Sequence, residues 1–307
     1  MKQLLIRIVC LLTLAVPFTA RAKLNVVATT PDLGAIAREI CGERMEVVSL
    51  AKPTEDPHFV DAKPSFVVKL NRADALIEGG AELEIGWLPP LLDNARNQRL
   101  ASGAPGRIAI APGVALMEVP ATLDRSKGDV HAMGNPHFMT DPINGKIVAQ
   151  IICEGLCRID ANGCDTYRAD LAKFNARLDA KMAEWQKLLE PYRGQQIVAY
   201  HNTWPYFAQR FGLKIDLFLE PKPGIPPTPA SLAEVISKMK AEHIHVVIVE
   251  PYQNRKTAET VAADTGATVV ALAQYPGGEK GIEGGYIELI DYLVRTLAGA
   301  LAKGNQP

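Results

Sequence analysis

Residues 165–190 read DTYRADLAKFNARLDAKMAEWQKLLE, a stretch without glycine or proline. Apolar side chains fall at Tyr167, Leu171, Phe174, Leu178, Met182, Trp185 and Leu189. Steps of three and four keep them on one face of an α-helix over about seven turns. At 1.5 Å per residue the helix is roughly 40 Å long, enough to run the length of two domains. Pro191 and Gly194 end it. A single helix is a stiff linker, so the parts that it joins are not expected to swing widely about it. The same stripe could instead serve as the seam of a coiled-coil dimer.

Strands and helices alternate on both sides of this element. Residues 24–30, LNVVATT, form a buried-strand run, and Pro31-Asp32 opens a helix that passes through Cys41 and closes at Gly42. Further strands are predicted at 45–50, 73–77 and 107–110, with helices at 64–71 and 82–95. After the long helix, strands at 197–200, 215–219, 246–249 and 268–272 alternate with helices at 203–211, 231–242 and 255–265. Such alternation argues a parallel sheet covered on both faces. The expected fold is α/β: two parallel-sheet lobes joined by one long rigid helix, with a cleft between the lobes. The expected bounds are a leader at 1–22, an N-terminal lobe at 23–163, the linking helix at 164–192 and a C-terminal lobe at 193–307.

The leader reads as an export signal. Lys2 and Arg7 precede an apolar run at 8–20, and Ala20-Arg-Ala22 offers a small-x-small cleavage site. The run is too short for a hydrocarbon core that needs about 20 residues. Cys10 lies inside the apolar run, too early for a lipidated cysteine, and follows Ile8-Val9 rather than small residues. The whole chain has 307 residues, 48% of them hydrophobic, and a formal net charge of -1. The leader holds Lys2, Arg7, Arg21 and no acid, so the mature chain is slightly more acidic. It has no basic field to hold nucleic acid, and that class is excluded. An exported chain can form disulfides, and Cys41, Cys153, Cys157 and Cys164 allow three pairings. Cys157 and Cys164 flank the turn-like Asp160-Ala-Asn-Gly163, where a bridge would close the corner. The alternative is buried thiols on a helix face, since Cys153 and Cys157 are four apart.

Three of the six histidines occupy related places. His58 follows the second strand in Asp56-Pro-His58-Phe59, and His137 lies in Asn135-Pro-His137-Phe138 just before a helix start at Asp141-Pro142. His201 closes the strand at 197–200. In open α/β sheets ligands bind outside the carboxyl ends of the strands. Pro57 and Pro136 stiffen the backbone directly before two of the histidines. Three imidazoles meeting in a cleft would hold a first-row metal, Zn(II) above all. Glu250 ends the buried strand at 246–249, where a carboxylate is costly unless paired or metal-bound. It is either a fourth ligand or an outer partner that orients a ligand histidine. His243 and His245 flank a strand entry, and His131 lies in a polar loop read as solvated, with transient capture of metal as the alternative.

The whole mature chain resembles the cluster A-I zinc/manganese solute-binding proteins, the periplasmic metal-binding subunits of ABC importers. The resemblance rests on Asp56-Pro-His58, Asn135-Pro-His137 with Asp141-Pro142, Ala199-Tyr-His201, Val249-Glu-Pro251, and the loop Pro223-Gly-Ile-Pro-Pro227 with Ser231-Leu232. It implies two α/β lobes joined by a rigid helix, and His58, His137 and His201 as metal ligands. It also implies a periplasmic monomer that carries Zn(II), or less favourably Mn(II), as cargo to an inner-membrane ABC permease. The family's usual fourth ligand is an aspartate in the segment where this chain has Ala271-Leu-Ala-Gln-Tyr275, so Gln274 stands in its place. The long histidine-rich loop of many zinc members is reduced to His131. Two other functions fit such a metal site: a secreted zinc hydrolase with Glu250 as general base, and a metal-dependent adhesin. The first lacks an HExxH pair and would divide its ligands between lobes.

Overall fold

Short, apolar runs build two parallel sheets of identical strand order. β1 (Leu24–Ala28), β2 (Met45–Ser49), β3 (Ala75–Glu78) and β4 (Arg107–Ala109) pair as β2-β1-β3-β4. β5 (Gln196–Ala199), β6 (Lys214–Phe218), β7 (Val246–Val249) and β8 (Thr268–Ala271) repeat that pattern as β6-β5-β7-β8. This computed structural model describes residues 23–122, 131–222, 224–282 and 284–304. The export leader, with Cys10, lies outside the described residues, as do parts of the His131 loop and the 223–227 loop. In each sheet the chain steps to one side of its first strand and then returns to the other. That reversal opens a crevice at the strands' carboxyl ends, where α/β sheets bind ligands.

Helices cover both faces of the sheets. They are α1 (Pro31–Cys41), α2 (Pro64–Arg72), α3 (Leu88–Ala95), α4 (Pro142–Ile159), α5 (Cys164–Leu189), α6 (Pro205–Phe211), α7 (Pro229–Ala241), α8 (Arg255–Thr265) and α9 (Tyr286–Gly304). Among the described residues, no helix is long and apolar enough to cross a membrane.

The long helix forms as its periodicity predicts. All seven stripe residues of α5 are buried, against α1 and α4 on one side and α9 on the other. The stripe is therefore consumed within one chain, which removes the coiled-coil reading. Full burial of an apolar side chain contributes about 1.5–3 kcal/mol before entropy is counted, so this seam holds the two halves together. Trp185 adds a polar anchor by donating Nε1–H to Asp291 of α9 at 2.9 Å. One core runs through both lobes around α5, including Val26, Ile77, Ile197 and Ile248. The alternate residues Val27, Leu76, Val198 and Val247 face separate outer cores, as the two-residue period of a strand requires.

Two elements differ from the sequence reading. The helix predicted at 82–95 begins only at Leu88. Ala81 and Glu82 adopt left-handed φ values of 52° and 66°. The buried Glu84 carboxylate accepts the N–H groups of Gly79 and Gly80 and the Thr29 hydroxyl at 2.7–2.9 Å. These bonds hold the chain in a turn that a helix would break. The C-terminal α9 is additional to the sequence reading, and its apolar face supplies Ile290, Leu293 and Leu297 to the shared core. The Cys157–Cys164 bridge forms across the corner between α4 and α5, while Cys41 and Cys153 are free and buried.

Candidate metal centre

The two Pro-His motifs fold by the same local device. Asp56 Oδ1 accepts the backbone N–H of His58 at 3.0 Å, and Asn135 Oδ1 accepts that of His137 at 2.9 Å. Each is a turn closed by a side-chain oxygen, with the intervening proline fixing φ. Trp87 Nε1 donates to the Pro57 carbonyl at 2.8 Å and pins the first turn to the N-terminal lobe. The second is tied to the C-terminal lobe. Tyr206 donates its hydroxyl to the Asn135 carbonyl at 2.6 Å, and Asn135 Nδ2 donates to the Asn202 carbonyl at 2.9 Å. His201 follows β5, beside the crevice of the second sheet.

These anchors bring His58, His137 and His201 together: one ring nitrogen from each lies within 4.8 Å of the others. The three rings meet edge to face, with centroids 5.1–5.5 Å apart. His137 is 5% exposed and its Nε2 has no hydrogen-bond partner. Burial, and then the neighbouring His58 and His201, hold it well below the usual imidazole range, so it is a neutral donor at physiological pH.

Carboxylates orient the other two rings. Asp56 Oδ1 lies 2.9 Å from His58 Nδ1, and Glu220 Oε2 lies 2.7 Å from His201 Nδ1. Each carboxylate favours the Nδ1–H tautomer and leaves Nε2 with its lone pair free. Burial opposes a charge on His201, yet Glu220, backed by Glu250 and Asp56, raises it above the ordinary value.

Glu250 is not part of the converging group. It is 1% exposed, and its Oε1 accepts Trp204 Nε1–H at 2.9 Å. Burial pushes its carboxyl up to about 7, against the pull of Thr203 and His201. Gln274, also buried, lines a small cavity with His137 and Asp32.

Two residues of the site escape sequence reasoning. Glu220 stands nineteen positions from His201; its local signal is that it directly follows the strand predicted at 215–219, and the adjacency of β5 and β6 brings it to the histidine. His131 corrects the reading of a solvated loop: it is half-buried, its ring stacks on His58 at 5.2 Å, and the two Nε2 atoms lie 3.3 Å apart. Burial, then His58 and His201, lower it to about 4. With His58 and His201 it lines a cavity of about 200 Å³. His243 is exposed at the left-handed turn before β7, and His245 is half-buried, both away from this group.

Metal ABC transporter substrate-binding lipoprotein ScbA of Streptococcus cristatus is 26% identical over 292 residues, covering 93% of this chain and 91% of its own. Manganese ABC transporter substrate-binding lipoprotein PsaA of Streptococcus pneumoniae matches with the same identity and coverage. A crystal structure of ZnuA superposes with a TM-score of 0.77 at 24% identity, over 91% of this chain and 99% of that one. The Mn-bound periplasmic metal-binding protein from Candidatus Liberibacter asiaticus gives 0.74 at 20% identity, over 91% and 100%. These two show a common fold. Residues 26–300 match the ZnuA family model, zinc-uptake complex component A, periplasmic. The chain belongs to the ZnuA family, non-enzymatic substrate-binding components that capture a divalent metal for ABC import.

Proposed function

We propose that this chain captures Zn(II) in the periplasm through His58, His137 and His201 and delivers it to an ABC permease in the inner membrane. The observation that carries the reading is the group of three imidazole nitrogens within 4.8 Å, one of them buried and unpartnered. Neutral nitrogen donors favour Zn(II) over Mn(II), which prefers oxygen. The Asp56 and Glu220 carboxylates behind two of the rings balance a dication without contacting it. All of these donors come from one chain, so the monomer suffices, and residues 1–22 would be its cleaved export signal. The manganese named for PsaA of Streptococcus pneumoniae makes the metal the point to test. Anomalous diffraction at the zinc and manganese edges, on protein purified without added metal, is expected to show zinc at this centre. A manganese signal there, or tighter binding of Mn(II) than Zn(II) in chelator competition, would overturn the zinc assignment.

Glu250 in this reading supports the site from behind, through Trp204 and the field that it exerts on His201. Glu250→Gln should therefore weaken zinc binding by roughly 10- to 100-fold, as the loss of outer partners does. An unchanged dissociation constant would remove Glu250 from the site.

A further inference from the structure

We propose that His131 Nε2 is the fourth ligand, making the centre an all-imidazole, four-histidine zinc site; the proposal rests on the three-histidine reading above. Zinc–imidazole bonds of about 2.0–2.1 Å place any two ligands of a tetrahedron ~3.3–3.4 Å apart. The Nε2 atoms of His131 and His58 are 3.3 Å apart. Asp56 engages His58 Nδ1, which leaves His58 Nε2, the atom nearest His131, to offer its lone pair to a metal.

The backbone holds His131 in place. Ala132 N–H is accepted by Glu82 Oε2 at 2.5 Å, and Gly134 N–H by the His131 carbonyl at 3.2 Å. Gly134 sits at φ +113°, where a Cβ would lie 2.7 Å from the Met117 carbonyl oxygen. Glycine is the residue that lets this turn close. The two side chains that could otherwise complete the site offer less. Glu250 holds Trp204 through Oε1 and, although its buried Oε2 is unpartnered, does not line the cavity that His131 shares with His58 and His201; Gln274 presents a neutral amide in a separate small cavity beside His137. Four imidazoles and no oxygen donor also make His131 a determinant of zinc over manganese.

The test combines X-ray absorption and chelator competition on the mature zinc-loaded protein, its His131→Ala variant and its His201→Ala variant. The parent is expected to show four imidazoles. His131→Ala should show three and an oxygen, with affinity lower by no less than the roughly 10- to 100-fold typical of outer partners. Three imidazoles in the parent, or parental affinity in His131→Ala, overturns the proposal. If His201→Ala loses zinc while His131→Ala does not, this inference alone fails. Parental binding by His201→Ala brings down the three-histidine reading and this inference with it. The parent spectrum decides the ligand count even if a variant folds poorly.

Discussion

His137→Ala is expected to lower zinc affinity by about a hundredfold or more. Structural zinc sites bind with roughly 10–16 kcal/mol, so each of four ligands carries about 3 kcal/mol, or some two decades in dissociation constant. His137 should sit at or above that share. Its imidazole is buried and neutral, and its Nε2 has no partner among the described residues. His137 borders only a small cavity, whereas His58 and His201 line one of about 200 Å³, so water replaces it less readily. The metal-free fold should change little. The substitution leaves a cavity, but it also removes a buried nitrogen whose hydrogen bond is unmade, and such terms are each about 1–3 kcal/mol and opposite in sign. Competition titration gives the affinity, and urea unfolding in the presence of a chelator gives the stability. Parental zinc binding by His137→Ala would exclude it as a ligand.

The parts of this molecule that can be read from sequence are those set by neighbours along the chain. The α5 stripe from Tyr167 to Leu189 is legible because a helix repeats its environment every three or four residues. His58 and His201 are legible as residues just beyond strand ends, and Asp56-Pro-His58 and Asn135-Pro-His137 carry their own turn chemistry. Contacts set by sheet order are different in kind. Glu220 reaches His201 because β6 lies beside β5, and nothing near Glu220 in the sequence states this. Glu84 sits in a run of helical composition, but Thr29 and the Gly79-Gly80 backbone capture its carboxylate and delay the helix to Leu88. His131 looks solvated in a polar loop until the chain returns it to His58.

Asp141→Ala is expected to destabilise the metal-free protein by about 1–3 kcal/mol, because it removes a helix cap together with one partner of an ion pair whose arginine is partly exposed. Asp141 performs two tasks. Its Oδ1 accepts Ile143 N–H at 2.8 Å and caps α4, a role worth about 0.5–2 kcal/mol. Both oxygens also accept from Arg210 of α6, Nε at 2.8 Å and Nη2 at 2.7 Å. That two-pronged pair ties the first half of the chain to the second, next to the packing of α5. It also fixes the short turn Phe138–Thr140 that leads back to His137, where Thr140 donates both N–H and hydroxyl to the His137 carbonyl at 3.0–3.2 Å. The variant should therefore bind zinc more weakly as well as unfold more easily. Asp141→Asn keeps a single oxygen for the cap and Arg210 Nε, but its amide nitrogen cannot accept from Arg210 Nη2 and the charge is lost, so it should fall between parent and alanine. Urea unfolding of the three proteins measures the order. A loss of less than about 1 kcal/mol in Asp141→Ala, the median of an exposed pair, would mean that water already screens this contact and that α5 alone holds the lobes together.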